Sequence, residues 1–137
     1  MRLKDKVAIV TGGGSGFGAG IARKFVAEGA QVLVADLNLD AALDVAAALG
    51  AHARALRVDV SVPADVRTMV DATVGHFGRV DIVVNNAGVG HRPQPLEALP
   101  DDEFDRITAV NMKAIYLAAR EVVPYFKAQA AGAGGSR

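Results

Sequence analysis

The 137-residue chain contains no cysteine, which excludes a disulfide-stapled scaffold, a thiolate nucleophile and every cysteine metal site. It has no surplus of either charge: fifteen Lys and Arg balance fifteen Asp and Glu. A nucleic-acid binder that works through electrostatics carries a basic excess, so no nucleic-acid partner is expected. Long apolar runs are missing too, since the stretch at residues 7–10 ends at Thr11 and a string of glycines. That is too short for a membrane span or a secretory segment, so no membrane association and a cytoplasmic location are expected. His52, His76 and His91 are scattered without ligand spacing, and no metal site is expected. What remains is mostly apolar: 51% hydrophobic and 22% charged residues exclude general disorder, and the length suits one domain with one core.

Residues 7–10, Val-Ala-Ile-Val, form a continuous β-branched run, the pattern of a strand buried on both faces of a parallel sheet. Residues 31–35, 55–58 and 80–84 read the same way, with Arg57 the irregular member. Helical spacing fills the intervals. Ile21, Phe25 and Val26 share a face ahead of Gly29, residues 41–49 close at Gly50, and Val66, Met69, Val70 and Val74 form a stripe after Pro63. Asp101, Asp102 and Glu103 open a last long helix, which runs through Phe104, Ile107, Val110, Ile115 and Leu117 towards a kink or end at Pro124. The order predicts an α/β fold, a Rossmann-like doubly wound parallel sheet truncated after about four strands and the following long helix. The domain is expected over residues 1–127. Residues 128–137, rich in Gly and Ala and without a hydrophobic anchor, are expected as a flexible tail. The fourth strand then becomes an apolar edge.

Thr11-Gly12-Gly13-Gly14-Ser15-Gly16-Phe17-Gly18 joins the first strand to the first helix. Glycines there permit a sharp turn and close backbone approach to a pyrophosphate, while the helix amino end offers N–H groups and positive dipole. No Gly-Lys-Ser/Thr closes the string, which sets a P-loop aside. Asp36 ends the second strand twenty residues after Gly16, where an acid accepts hydrogen bonds from adenosine ribose hydroxyls. Asp59 has two readings: it accepts from an adenine amino group while Val60 packs the ring, or it simply starts a helix. The glycines with an acidic strand end also fit an S-adenosylmethionine-dependent methyltransferase. A non-catalytic nucleotide-binding or interaction fragment is a further alternative.

The fourth strand ends in Asn85-Asn86-Ala87-Gly88. With Thr11-Gly12-x-x-x-Gly16-x-Gly18, Asp59-Val60 and Asn111, the sequence resembles the short-chain dehydrogenase/reductase family from Lys4 to about Lys127. The resemblance implies an oxidoreductase that moves hydride between a nicotinamide cofactor and a small-molecule alcohol or carbonyl substrate. It implies that Gly12, Ser15, Gly16, Phe17 and Gly18 line the pyrophosphate and that Asp36 holds the ribose. Asp59 and Val60 would take the adenine, and Asn86, Ala87 and Gly88 would shape the floor near the nicotinamide ribose. Asn111 matches the catalytic asparagine that holds a water linking the family's lysine to solvent. A homo-oligomer is implied for the complete enzyme. Asp36 occupies the place a 2′-phosphate needs, and Ser15 replaces a basic residue, so NAD is expected over NADP. Phe17 stands where isoleucine is commonest. The family's catalytic serine and Tyr-x-x-x-Lys pair have no counterpart, because Tyr116 is followed at that spacing by Arg120 and Tyr125 by Gln129. The expectation is the N-terminal half of a dehydrogenase, ending before a fifth strand.

Overall fold

A computed structural model describes residues 1–134. β1 (Val7–Thr11) leads into α1 (Gly16–Ala27), β2 (Gln31–Asp36) into α2 (Leu39–Leu49), and β3 (Ala53–Arg57) into α3 (Pro63–Phe77). β4 (Ile82–Val84) is followed by α4 (Asp101–Thr108), which continues through a π turn (Ala109–Lys113) into α5 (Ala114–Gly134). The strands pair in parallel in the order β3-β2-β1-β4. The chain therefore builds outward from β1 in one direction and then returns to its other side, which is the doubly wound arrangement expected from the sequence.

Alternating side chains fill the two faces differently. Ala8, Val10, Val32, Val34 and Ala53 meet Ala19 and Ala22 of α1 and Ala42, Val45 and Ala46 of α2. Small helix residues let those backbones settle close to the sheet. Ile9, Leu33 and Ala35 point the other way, onto Val66, Met69 and Val70 of α3 and Leu117, Ala118 and Val122 of α5. β1 is buried along its whole length, which explains its unbroken apolar run.

The third and fourth strands are displaced from their expected limits. β3 begins at Ala53, and β4 is confined to Ile82–Val84. Ahead of β4, Asp81 and Val7 exchange hydrogen bonds: the Val7 N–H donates to Asp81 Oδ2 (2.9 Å), and the Asp81 N–H donates to the Val7 carbonyl (2.8 Å). Both main-chain groups of Val80 are taken by one side chain. The Val80 N–H donates to Gln129 Oε1 (3.1 Å), and Gln129 Nε2 donates to the Val80 carbonyl (2.8 Å).

With this anchor α5 passes through Pro124 and remains helical across residues 128–134, within the stretch expected as a tail. The proline removes one helical hydrogen bond, but Val122, Tyr125 and Phe126 pack around it onto the α3 side of the core. Gln129 supplies a polar anchor where no apolar one exists. Residues 135–137 of the expected tail lie outside the described residues. Among the described residues β4 pairs with β1 alone, so its outer edge is open, as expected.

Candidate nucleotide-binding site

Parallel strands bring all their carboxyl ends to one edge, and a crevice opens there because successive connections leave to opposite faces. In this chain it is a cleft of about 540 Å³. Gly12, Ser15, Gly16 and Phe17 border it after β1, and Asp36 and Leu37 after β2. Val58, Asp59, Val60 and Ser61 follow β3, Asn86, Ala87, Gly88 and Val89 follow β4, and Arg106 and Val110 close the side.

The floor is an interlock between the turns after β1 and β4. Thr11 Oγ1 donates to the Val84 carbonyl (3.2 Å) and accepts from the N–H groups of Asn86 (3.0 Å) and Ala87 (3.1 Å). Asn86 Nδ2 donates back to the carbonyls of Thr11 (3.0 Å) and Gly12 (3.2 Å). Gly12 has φ +62°, and a Cβ there would lie 2.9 Å from the Asn86 amide nitrogen. A Cβ on Gly18 would collide with the Gly12 carbonyl and lie 2.6 Å from the same nitrogen. Both glycines are thus required by the floor itself.

Above the floor, Ser15 is the N-cap of α1 but makes no side-chain cap hydrogen bond, and no acidic residue occupies the first turn. The first-turn N–H groups of a helix have no internal partners, so this end is left free for an anion. Asp36 lies under tight control, with Oδ2 accepting from the Gly14 N–H and Oδ1 from the Asn38 N–H, each at 2.9 Å. Asp59 Oδ1 accepts from the N–H (3.0 Å) and hydroxyl (2.6 Å) of Ser61, while the Asp59 N–H donates to Asp65 (2.9 Å). Asp59 therefore organises the entry to α3 and borders the cleft at once. Phe17 is 88% exposed at the mouth.

Asn111 sits in the π turn, and its carboxamide pairs with both backbone groups of Val89. Asn111 Nδ2 donates to the Val89 carbonyl and Oδ1 accepts from the Val89 N–H, both at 2.8 Å. Arg106 donates to the Gly90 carbonyl at 3.3 Å. Of the residues expected at the site, Gly18 and Asn111 do not line the cleft; they support the segments that do. Leu37, Val58, Ser61, Val89, Val110 and Arg106 line it without having been singled out. The first five adjoin expected site residues in sequence, and adjacency was the available signal. Arg106 carries only its place one helical turn before Val110. Neither tyrosine borders the cleft. Tyr116 lies beneath the Arg120 guanidinium at 5.4 Å. The Tyr125 hydroxyl donates to Asp71 at 3.3 Å; partial burial and the Asp71 carboxylate raise its pKa above the ordinary phenolic value.

A doubly wound sheet with an uncapped helix end beside its switch point belongs to the Rossmann class of nucleotide-binding domains. Sequence comparison narrows the class. A family profile described as short chain dehydrogenase matches residues 6–133. The chain is 49% identical over 135 residues to 4-formylbenzenesulfonate dehydrogenase of Comamonas testosteroni, covering 96% of this chain and 54% of that protein. It is 36% identical over 132 residues to galactitol 2-dehydrogenase of Agrobacterium fabrum, covering 96% and 51%. The crystal structure of 3-ketoacyl-(acyl-carrier-protein) reductase from Brucella melitensis complexed with NADH matches with a TM-score of 0.93 at 46% identity, covering 96% of this chain and 54% of that one. The chain belongs to the short-chain dehydrogenase family. It spans about half the length of the curated relatives it matches. These matches favour the short-chain dehydrogenase family over the methyltransferase alternative. Among the described residues no helix is long and apolar enough to cross a membrane.

Proposed function

We propose that this chain is the NAD-binding half of an oxidoreductase that interconverts a small-molecule alcohol and its carbonyl. The observation that carries the proposal is the uncapped amino end of α1 sharing one cleft with Asp36. The first suits a pyrophosphate, the second a ribose diol. In this reading Gly12, Ser15, Gly16 and Phe17 line the pyrophosphate, and Gly18 lets the turn close beneath it. Asp59 and Val60 take the adenine, and Asn86, Ala87 and Gly88 lie towards the nicotinamide ribose. Asn111 is the proposed active-site asparagine. Its carboxamide gives one N–H and one oxygen lone pair to Val89, which fixes its orientation and leaves the second N–H and the second lone pair for a ligand or water. When bound, a nicotinamide cofactor supplies hydride chemistry; the chain supplies binding and orientation. The dehydrogenase names of the relatives and the NADH in the solved neighbour support this reading. We further propose a homo-oligomer, on the exposed apolar residues of α4, the π turn and α5.

NAD is the proposed cofactor over NADP. A 2′-phosphate ~4 Å from Asp36, at an effective dielectric of ~20, is repelled by about 4 kcal/mol before solvent screening reduces it. Titration with NADH and NADPH, followed by nicotinamide fluorescence, is the test. NADH should bind at least about tenfold more tightly, and Asp36→Ala should narrow the ratio. Tighter NADPH binding overturns the preference. Failure of both to bind overturns the nucleotide reading.

A further inference from the structure

We propose that Arg106 is a base-stacking residue, whose guanidinium closes over the face of an adenine held at the β3 end of the cleft. The inference rests on the dinucleotide reading above and adds to it a contact that no motif of the sequence announces.

Among the described residues that border the cleft Arg106 is the basic one, facing the acidic Asp36 and Asp59. It lies in the last turn of α4. Asp102 stands four residues before it, the order that favours an acid–base pair along a helix. That pair is not made. Among the described residues the ion pairs engage Lys24, Arg67, Arg79 and Arg120 and leave Arg106 out. Its side chain reaches instead to the segment after β4, where Nη2 donates to the Gly90 carbonyl at 3.3 Å. One long hydrogen bond tethers the guanidinium and leaves its plane and its other N–H donors exposed.

The surroundings decide what that plane can cover. Val60 packs with α3 and α5 on one face of the sheet, and α4 runs into α5 through the π turn. Arg106 and Val110, one helical turn apart, therefore overlook the cleft from the face that carries Val58 and Val60. Val89, held by Asn111, adds a further apolar wall. The result is a slot with apolar walls and a flat cation at its rim. A guanidinium plane stacks on aromatic faces. It also suits a phosphate, but the cleft already has an anion end in the uncapped turn of α1. An adenine offers a broad π face, and Asp59 beside the same walls is an acceptor for its amino group.

The test uses 5′-AMP and 5′-UMP, which share ribose and phosphate and differ in the base, titrated calorimetrically into the purified chain. The native chain should favour AMP, and Arg106→Ala should lower the AMP-to-UMP affinity ratio by about two- to fivefold. Arg106→Lys can still donate to the Gly90 carbonyl but has no plane, so it should recover only part of the loss. In proton NMR of the native chain, AMP should move the Arg106 Cδ protons upfield through the ring current of the stacked base. Equal losses of AMP and UMP affinity in Arg106→Ala overturn the proposal, because they place the guanidinium on the phosphate. Full recovery by Arg106→Lys overturns it as well, since the tether to Gly90 or the charge then suffices. If Arg106→Ala does not fold, by its circular dichroism, the lysine variant and the proton shifts decide. AMP binding with unmoved Arg106 protons overturns the inference alone. Failure of AMP to bind the native chain overturns the nucleotide reading and this inference with it.

Discussion

Thr11 is 2% exposed, and its hydroxyl serves the Val84 carbonyl and the N–H groups of Asn86 and Ala87 together. Valine has nearly the same shape but leaves the part-buried Ala87 N–H without a partner, while the Asn86 N–H keeps the Val84 carbonyl at 3.0 Å; an unpaired donor costs about 1–3 kcal/mol. Thr11→Val should lower the unfolding free energy by about 1–2 kcal/mol in urea, and Thr11→Ser should recover most of it. An unchanged midpoint in the valine variant would show that the hydroxyl does not hold the floor. Asp81 acts at the opposite end of the sheet. Burial by itself would raise its pKa, but the Arg79 guanidinium, the Val7 N–H and Lys6 together hold it below the usual carboxylate value. Glu28 is likewise held at about 2 by Lys24 and the Arg2 N–H. A lowered folded-state pKa means that the unfolded chain binds more protons on acidification. Each contribution is therefore complete above the ordinary carboxylate range and is lost as pH falls through the folded value. Melting temperature should fall from about pH 4 downward. Asp81→Asn should be less stable at neutral pH and should show a shallower acid decline, with Glu28 accounting for what remains. Parallel acid profiles for the two proteins would refute this.

At the scale of elements, α5 carries the least expected feature. Its last turns are fixed by Gln129, whose amide gives Val80 a donor and an acceptor just as an adjacent strand would. Gln129→Ala should cost about 1 kcal/mol overall, and it should speed amide exchange in α5 beyond Phe126 more than in β1 or α1. Uniform exchange across the molecule would contradict a local anchor. β1 and β2 were legible because burial on two faces demands β-branched runs, and Asp36 was legible because it stands at a strand end at a fixed distance from the glycine turn. The end of α5 was not legible, since its anchor is polar and its partner lies far away in sequence. Within the π turn Asn111 meets Val89 across the packed structure, and no local pattern encodes that pairing. Gly18 was legible as a glycine of the turn. Its reason, the Asn86 amide, belongs to tertiary structure.

For the whole molecule, the two tyrosines stand apart from the cleft, and general acid–base catalysis contributes ~10²–10⁴-fold. The purified chain, assayed with NAD and a panel of secondary alcohols, should show no turnover above the blank. Turnover that survives repurification and is lost with Asn111→Ala would refute this. Phe104, Met112, Ile115 and Tyr116 are each at least half exposed, at 57%, 68%, 50% and 57%, and the β4 edge is open among the described residues. Exposed apolar surface beside an unpaired edge favours association. Light scattering should find species larger than the monomer, increasing with concentration; a monomer at every concentration would count against it. The Thr11–Asn86 interlock also constrains motion. Because it ties the turn after β1 to the turn after β4 from both sides, any opening at the base of the cleft would have to break these hydrogen bonds together. Exchange over the rim would leave them intact; there the Val89–Gly90 segment is held by Asn111 and Arg106, and on that route the release of those latches would set the pace at which a bound nucleotide comes and goes.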